Sequence, residues 1–127
     1  MTGGTRRVLY VEDDELNRVL MEHVVALMPG WTVVIARSLA DARTIIDGVR
    51  ADAPALDLVL VDLDLPDGSG DELLADLRRL NINAPVWAVT GDASTATAER
   101  LATIGIGRVV VKPFDIAALV AAMADLG

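Results

Sequence analysis

Short apolar, β-branched runs punctuate the chain: Val8-Leu9-Tyr10-Val11, Thr32-Val33-Val34-Ile35, Leu58-Val59-Leu60-Val61, Val86-Trp87-Ala88-Val89 and Val109-Val110-Val111. These runs are continuous rather than alternating, which is the pattern of strands covered on both faces, as in a parallel sheet. Between them apolar residues return at helical spacing. Leu16, Val19, Leu20, Val24 and Leu27 stripe a first helix that stops at Pro29-Gly30, and Ser38 with Asp41 three residues on opens a second like a capping box. Leu73, Leu74, Leu77 and Leu80 stripe a third helix, Leu101 and Ile104 a fourth, and Ile116, Leu119, Val120 and Met123 a fifth. Five strand–helix units joined by right-handed crossovers predict one α/β domain, a doubly wound parallel sheet with helices on both faces.

Composition changes this picture little and narrows the chemistry considerably. A chain of 127 residues is long enough for one core and too short for two, so residues 1–127 are read as a single domain with residues 1–5 a flexible N-terminus. Without cysteine there is no disulfide, thiolate nucleophile or Cys-based zinc site. No apolar run approaches the roughly 18 residues of a membrane span, and the start lacks a signal core, so a cytoplasmic protein with no membrane role is expected. A net charge of −8 argues against direct nucleic-acid binding and favours a divalent cation or a basic partner face.

In open α/β sheets ligands bind beyond the carboxyl ends of the strands. Glu12-Asp13-Asp14 follow the first run, Asp62-Leu63-Asp64 the third, Thr90-Gly91-Asp92 the fourth and Lys112-Pro113 the fifth. Lys112 is the only lysine, against ten arginines, and a lysine head is a compact point charge where an arginine is a planar fork. Carboxylates crowded at one edge repel each other unless a cation sits among them. An all-oxygen donor set without His or Cys selects a hard ion, Mg²⁺ or Mn²⁺, typical of phosphoryl chemistry. Asp62, at the tip of its strand, is the best-placed nucleophile, with Thr90 and Lys112 available to a phosphoryl group's oxygens.

The ordered set Val11-Glu12-Asp13-Asp14, Val61-Asp62-Leu63-Asp64-Leu65-Pro66-Asp67-Gly68, Val89-Thr90-Gly91-Asp92-Ala93 and Lys112-Pro113-Phe114 resembles the receiver domains of two-component response regulators, from Val8 to about Leu126. The resemblance implies a flavodoxin-like (βα)5 fold with strand order 2-1-3-4-5. It implies that Asp62 accepts a phosphoryl group from a histidine kinase or histidine phosphotransfer protein and later loses it by autodephosphorylation. It further implies Mg²⁺ on Asp13, Asp62 and the backbone carbonyl of Asp64, with Glu12 acting through a water. Lys112 would pair with Asp62 or its phosphate, and the Lys112-Pro113 peptide would be cis. The chain departs from the family at Val109, where an aromatic residue commonly stands, and at Asp64 and Asp92, two residues after Asp62 and Thr90, which are expected to modulate dephosphorylation.

Simpler roles cover other residues. Asp14 is read as a helix cap, Asp67-Gly68-Ser69-Gly70 as a turn, His23 as a packing residue on the first helix's apolar side, and Trp87 as core. Ten of the twelve residues from 115 to 126 are apolar, more than an amphipathic surface helix carries, so the last two helices are expected to offer a face to a second copy or a downstream protein. Ending at Gly127, the chain reads as a stand-alone receiver or one excised from a larger protein. Two other functions fit some of the residues: a haloacid-dehalogenase-like phosphatase using Asp62, and a pseudo-receiver serving only as an interaction module. The acid pair ahead of Asp62 argues against the first, and the intact Asp62, Thr90 and Lys112 against the second.

Overall fold

The computed structural model describes residues 5–50, 55–68, 70–92 and 94–126. Apart from Thr5, the N-terminal segment lies outside them, as do Ser69 of the expected turn and Ala93 of the Thr90 motif. Strands and helices alternate as β1 (Arg6–Val11), α1 (Glu15–Ala26), β2 (Trp31–Ala36), α2 (Leu39–Arg50), β3 (Leu58–Asp62), α3 (Gly70–Arg79), β4 (Val86–Thr90), α4 (Thr95–Thr103), β5 (Arg108–Val111) and α5 (Ile116–Ala124). All strand pairs are parallel, in the order β2-β1-β3-β4-β5. The expected fold and strand order are both observed, and β3, which carries Asp62, is the central strand.

Alternation along the strands separates two apolar layers. Leu9, Val11, Val59, Val61, Val86 and Ala88 pack against α2, α3 and α4. Val8, Tyr10, Leu58, Leu60, Trp87 and Val89 pack against α1 and α5. Each fully buried Val or Leu in these layers contributes about 1.5–3 kcal/mol relative to exposure. Trp87 is core, as expected, and the Arg108 guanidinium lies over its ring at 5.1 Å from the centroid.

One reading of the pattern is corrected. The first helix does not bury the Leu16, Val19, Leu27 stripe: Leu16 is 74% exposed and Leu27 66%, while Met21, Val24, Val25 and Met28 face the sheet. His23 is consequently exposed rather than packed. Two apolar stripes share Val24 on this helix, and helical spacing alone does not say which one meets the sheet. The caps behave as expected, with the Asp14 carboxylate accepting from the Asn17 N–H at 3.1 Å and Ser38 Oγ from the Asp41 N–H at 3.1 Å.

Candidate functional site

Because all five strands are parallel, their carboxyl ends share one edge, and the loops leaving β1, β3, β4 and β5 meet there. Backbone bonds fix the edge: Glu12 N–H donates to Ala36 O at 2.9 Å, Leu63 N–H to Val89 O at 3.1 Å and Lys112 N–H to Thr90 O at 2.8 Å. The Lys112-Pro113 peptide is cis, as the resemblance implied.

Asp62 is held on both oxygens. Oδ1 accepts the Asp64 backbone N–H at 2.9 Å and Oδ2 accepts from Lys112 Nζ at 2.9 Å. The same ammonium reaches Glu12 Oε1 at 2.8 Å. One carboxylate oxygen from each of Glu12, Asp13 and Asp62 lies within 4.8 Å of the other two, so the expected acids converge. Glu12 and Asp62 are buried and Asp13 is exposed, which leaves the cluster open to solvent on one side. Three hard oxygen donors of this kind, with no His or Cys joining them among the described residues, suit one divalent cation such as Mg²⁺.

The two buried carboxyls do not ionise alike. Burial, with the hydrogen bond to Asp62, pushes Glu12 up to about 7. Burial would raise Asp62 as well, yet the hydrogen bonds from Glu12, the Asp64 N–H and Lys112 outweigh it and hold the carboxyl below its ordinary value. Lys112 loses some proton affinity to burial and regains more from Glu12 and Asp62, so it stays an ammonium. The pair therefore divides its roles: Asp62 remains an anion at neutral pH, while Glu12 titrates close to it.

Two residues of this network were not anticipated. The buried Tyr10 hydroxyl donates to Glu12 Oε1 at 2.7 Å, and its ring meets Phe114 at 6.1 Å between centroids. The signal was present: strand residues two apart share a face, and a buried tyrosine needs a partner for its hydroxyl. Arg18 on α1 donates to the carbonyls of Asp13 at 2.6 Å and Glu12 at 3.3 Å, stitching down the loop that carries both acids.

Thr90 is buried at the tip of β4, where its Oγ1 accepts the Asp92 N–H at 3.0 Å. Asp92 is less free than its position in the sequence implies. Its Oδ1 accepts from the Ser94 N–H at 2.9 Å and its Oδ2 from the Thr97 hydroxyl at 2.5 Å, so the carboxylate is committed to the first turn of α4, and the Thr97 bond chiefly lowers its pKa. Asp67 does the same for α2, accepting from the N–H groups of Leu39 at 2.9 Å and Ala40 at 3.1 Å. Asp64 keeps an exposed carboxylate beside the site. Val109 stands away from the edge, half-buried opposite Ala88, and lines an open groove of about 270 Å³ between β5 and α5.

The family model for the response regulator receiver domain matches residues 8–124. The rice two-component response regulator ORR41 is 31% identical over 109 residues, covering 86% of this chain and 84% of that protein. A protein-glutamate methylesterase/protein-glutamine glutaminase of Anaeromyxobacter dehalogenans is 33% identical, and there the chain spans 34% of the relative's length. Among solved structures, the signal receiver domain of a putative Luxo repressor protein from Vibrio parahaemolyticus superposes with a TM-score of 0.83 at 26% identity, covering 96% of this chain and 89% of that one. With the acids, threonine and lysine converging at the edge of a 2-1-3-4-5 sheet, and with the family model spanning nearly all of its length, this chain belongs to the response regulator receiver domains.

Proposed function

We propose that this receiver domain is a phosphoacceptor switch in which Asp62 takes a phosphoryl group from the phosphohistidine of a histidine kinase or phosphotransfer protein. A carboxylate oxygen of Asp62 attacks phosphorus, the phosphorus–nitrogen bond breaks, and the imidazole nitrogen leaves with the electron pair and takes up a proton. Hydrolysis reverses the state: water attacks phosphorus, the acyl phosphate bond breaks, and inorganic phosphate departs from a restored carboxylate. The observation that carries this reading is the state of Asp62, an anion at the end of the central strand with Lys112 at 2.9 Å and two further acids within cation-sharing distance.

Asp13, Asp62 and the Asp64 carbonyl would hold Mg²⁺, or Mn²⁺, with Glu12 acting through a water. When bound, that ion neutralises charge building on the phosphoryl oxygens. Lys112 neutralises another oxygen, and the Thr90 hydroxyl, which accepts rather than donates in its bond to Asp92, has its own hydrogen to offer a third. The output partner would be a second copy or a downstream protein at α4 and α5, where Ala117, Ala118, Ala121 and Ala124 are exposed beside the β5–α5 groove. No helix among the described residues is long and apolar enough to cross a membrane, and a cytoplasmic site of action fits a phosphohistidine donor.

Incubation with Mg²⁺ and acetyl phosphate, followed by intact-mass and peptide mapping, should show one phosphoryl group on Asp62 that is absent in Asp62→Asn. Catalytic turnover of many equivalents of unrelated phosphoesters would instead mark a phosphatase, and no adduct with either acetyl phosphate or beryllofluoride would mark an interaction module.

A further inference from the structure

A second cavity of about 360 Å³ opens beside the phosphoacceptor, walled by Asp64, Thr90, Gly91, Asp92, Thr97 and Arg100 among others. Its charge opposes the approach of an anionic donor. Among the described residues, two carboxylates line it and Arg100 is its one cation. Lys112 is not part of this wall and is already shared between Glu12 and Asp62, so it offers nothing to a donor still outside. Gly91 leaves open space in that wall, with nothing within 4 Å of where a side chain would begin.

Arg100 is held away from full engagement by a bridge that is easily exchanged. Its Nη1 meets Asp71 Oδ2 on α3 at 3.2 Å, with the two side chains 54% and 42% exposed. A solvent-exposed pair of this kind contributes little, whereas a guanidinium on phosphoryl oxygens forms the shorter, bidentate kind of bond.

We propose that Arg100 is the docking cation for the anionic phosphodonor at the mouth of the phosphoacceptor site, held in reserve by Asp71. The proposal rests on the phosphoacceptor reading above and extends it to the approach of the donor. The guanidinium leaves Asp71, takes two donor oxygens across the cavity, and offsets the repulsion from Asp64 and Asp92 while the phosphorus comes within reach of Asp62. No bond is made or broken in this step.

The test uses initial rates of self-phosphorylation of the whole chain with Mg²⁺ at low donor concentration, followed on phosphate-affinity gels. Arg100→Ala should slow reaction with acetyl phosphate about fivefold, the size of one exposed charge-assisted contact, and Arg100→Lys should recover part of that loss. Asp71→Asn, which breaks the same bridge from its other end, should accelerate the reaction about twofold, and the gain should vanish in the Arg100→Ala background. The singly charged donor phosphoramidate should show a smaller dependence on Arg100 than doubly charged acetyl phosphate, and the difference should shrink in high salt. A merely structural bridge between α3 and α4 would make Arg100→Ala and Asp71→Asn slow the reaction alike, which would overturn the proposal. So would a phosphorylated wild type with Arg100→Ala equally fast. A wild type that takes no phosphoryl group overturns the underlying function as well, so the two failures are told apart by the wild-type lane.

Discussion

Replacing Tyr10 by phenylalanine removes one oxygen from the interior and leaves the ring, its packing and its contact with Phe114 in place. The hydroxyl donates to Glu12 Oε1 at 2.7 Å, and the same oxygen keeps Lys112 at 2.8 Å when the hydroxyl is gone. A hydrogen bond to a charged acceptor contributes about 1.5–3 kcal/mol and one to a neutral acceptor about 0.5–1.5. With Lys112 remaining, the low end applies: about 1.5 kcal/mol when Glu12 is ionised and about 0.7 when it is protonated. The difference, about 0.8 kcal/mol, is an upward movement of roughly 0.6 in the Glu12 pKa.

The sign follows from linkage. Glu12 sits near 7 in the folded chain against an ordinary 4.5, so between those values the folded state holds a proton the unfolded state lacks, and Glu12's contribution to stability falls as pH rises through that window. Tyr10→Phe lifts the folded value further and steepens the fall. Asp62, with its depressed pKa, contributes the opposite slope at lower pH, but does so in both proteins and cancels in the comparison. Urea unfolding without divalent ions should give a deficit of about 0.7 kcal/mol near pH ~5.5 and about 1.5 near pH ~8.5. For 127 residues these are melting-temperature losses of about 3 °C and about 6 °C. If Glu12 must be ionised to assist Mg²⁺, the variant should also bind Mg²⁺ about two- to threefold more weakly near pH ~7, with the gap closing near pH ~8.5. An equal deficit at both pH values, or a larger one in acid, would show that Tyr10 does not donate to an ionisable Glu12.

Three further substitutions probe other parts of the chain. Asp76, nearly buried, accepts from Arg43 Nε at 2.7 Å and Arg79 Nη2 at 2.8 Å, so Asp76→Ala should cost about 1–2 kcal/mol in urea unfolding, less than a fully buried pair because both arginines return to water; an unchanged midpoint would show the clamp between α2 and α3 to be idle. Gly68 has φ +149°, and a Cβ there would lie 2.5 Å from Leu39 Cδ1, whose side chain is fully buried, so Gly68→Ala should lose about 1–3 kcal/mol by the same assay, and a neutral result would mean the loop after Asp62 shifts freely. Lys112→Arg keeps the charge but asks a planar fork to fill a place where one ammonium spans Glu12 at 2.8 Å and Asp62 at 2.9 Å; phosphorylation by acetyl phosphate should fall at least about tenfold, and a rate equal to wild type would refute the shape argument.

Most of the site was legible in the sequence because topology does the work of bringing it together. Once five buried runs imply a parallel sheet, whatever follows Val11, Val61, Val89 and Val111 must meet at one edge, and the pairing of those strands shows that it does. What the sequence left open is the direction in which a side chain turns after it arrives. Leu16 and Met21 are both apolar and both on α1, yet one faces water and the other the sheet, since two stripes compete and only packing against α5 and the strands selects between them. Tyr10 looked like an ordinary strand residue until burial required a partner for its hydroxyl.

The acids show the same limit with a chemical consequence. Glu12, Asp13, Asp62, Asp64, Asp67 and Asp92 all read as negative charge at one rim, which argues for strong mutual repulsion. In the fold, Asp67 lies across the N-terminus of α2 and Asp92 across that of α4, each accepting from donors that a helix start leaves unpaired. Glu12 shares a lysine with Asp62 and is pushed up to about 7, so its charge is only partly developed at neutral pH. The carboxylates near Asp62 that no such donor engages are therefore Asp13 and Asp64, both exposed. Asp13 belongs to the cluster that suits a divalent ion, which leaves Asp64 as the acid against which a cation on the cavity wall, Arg100, has the most to offset.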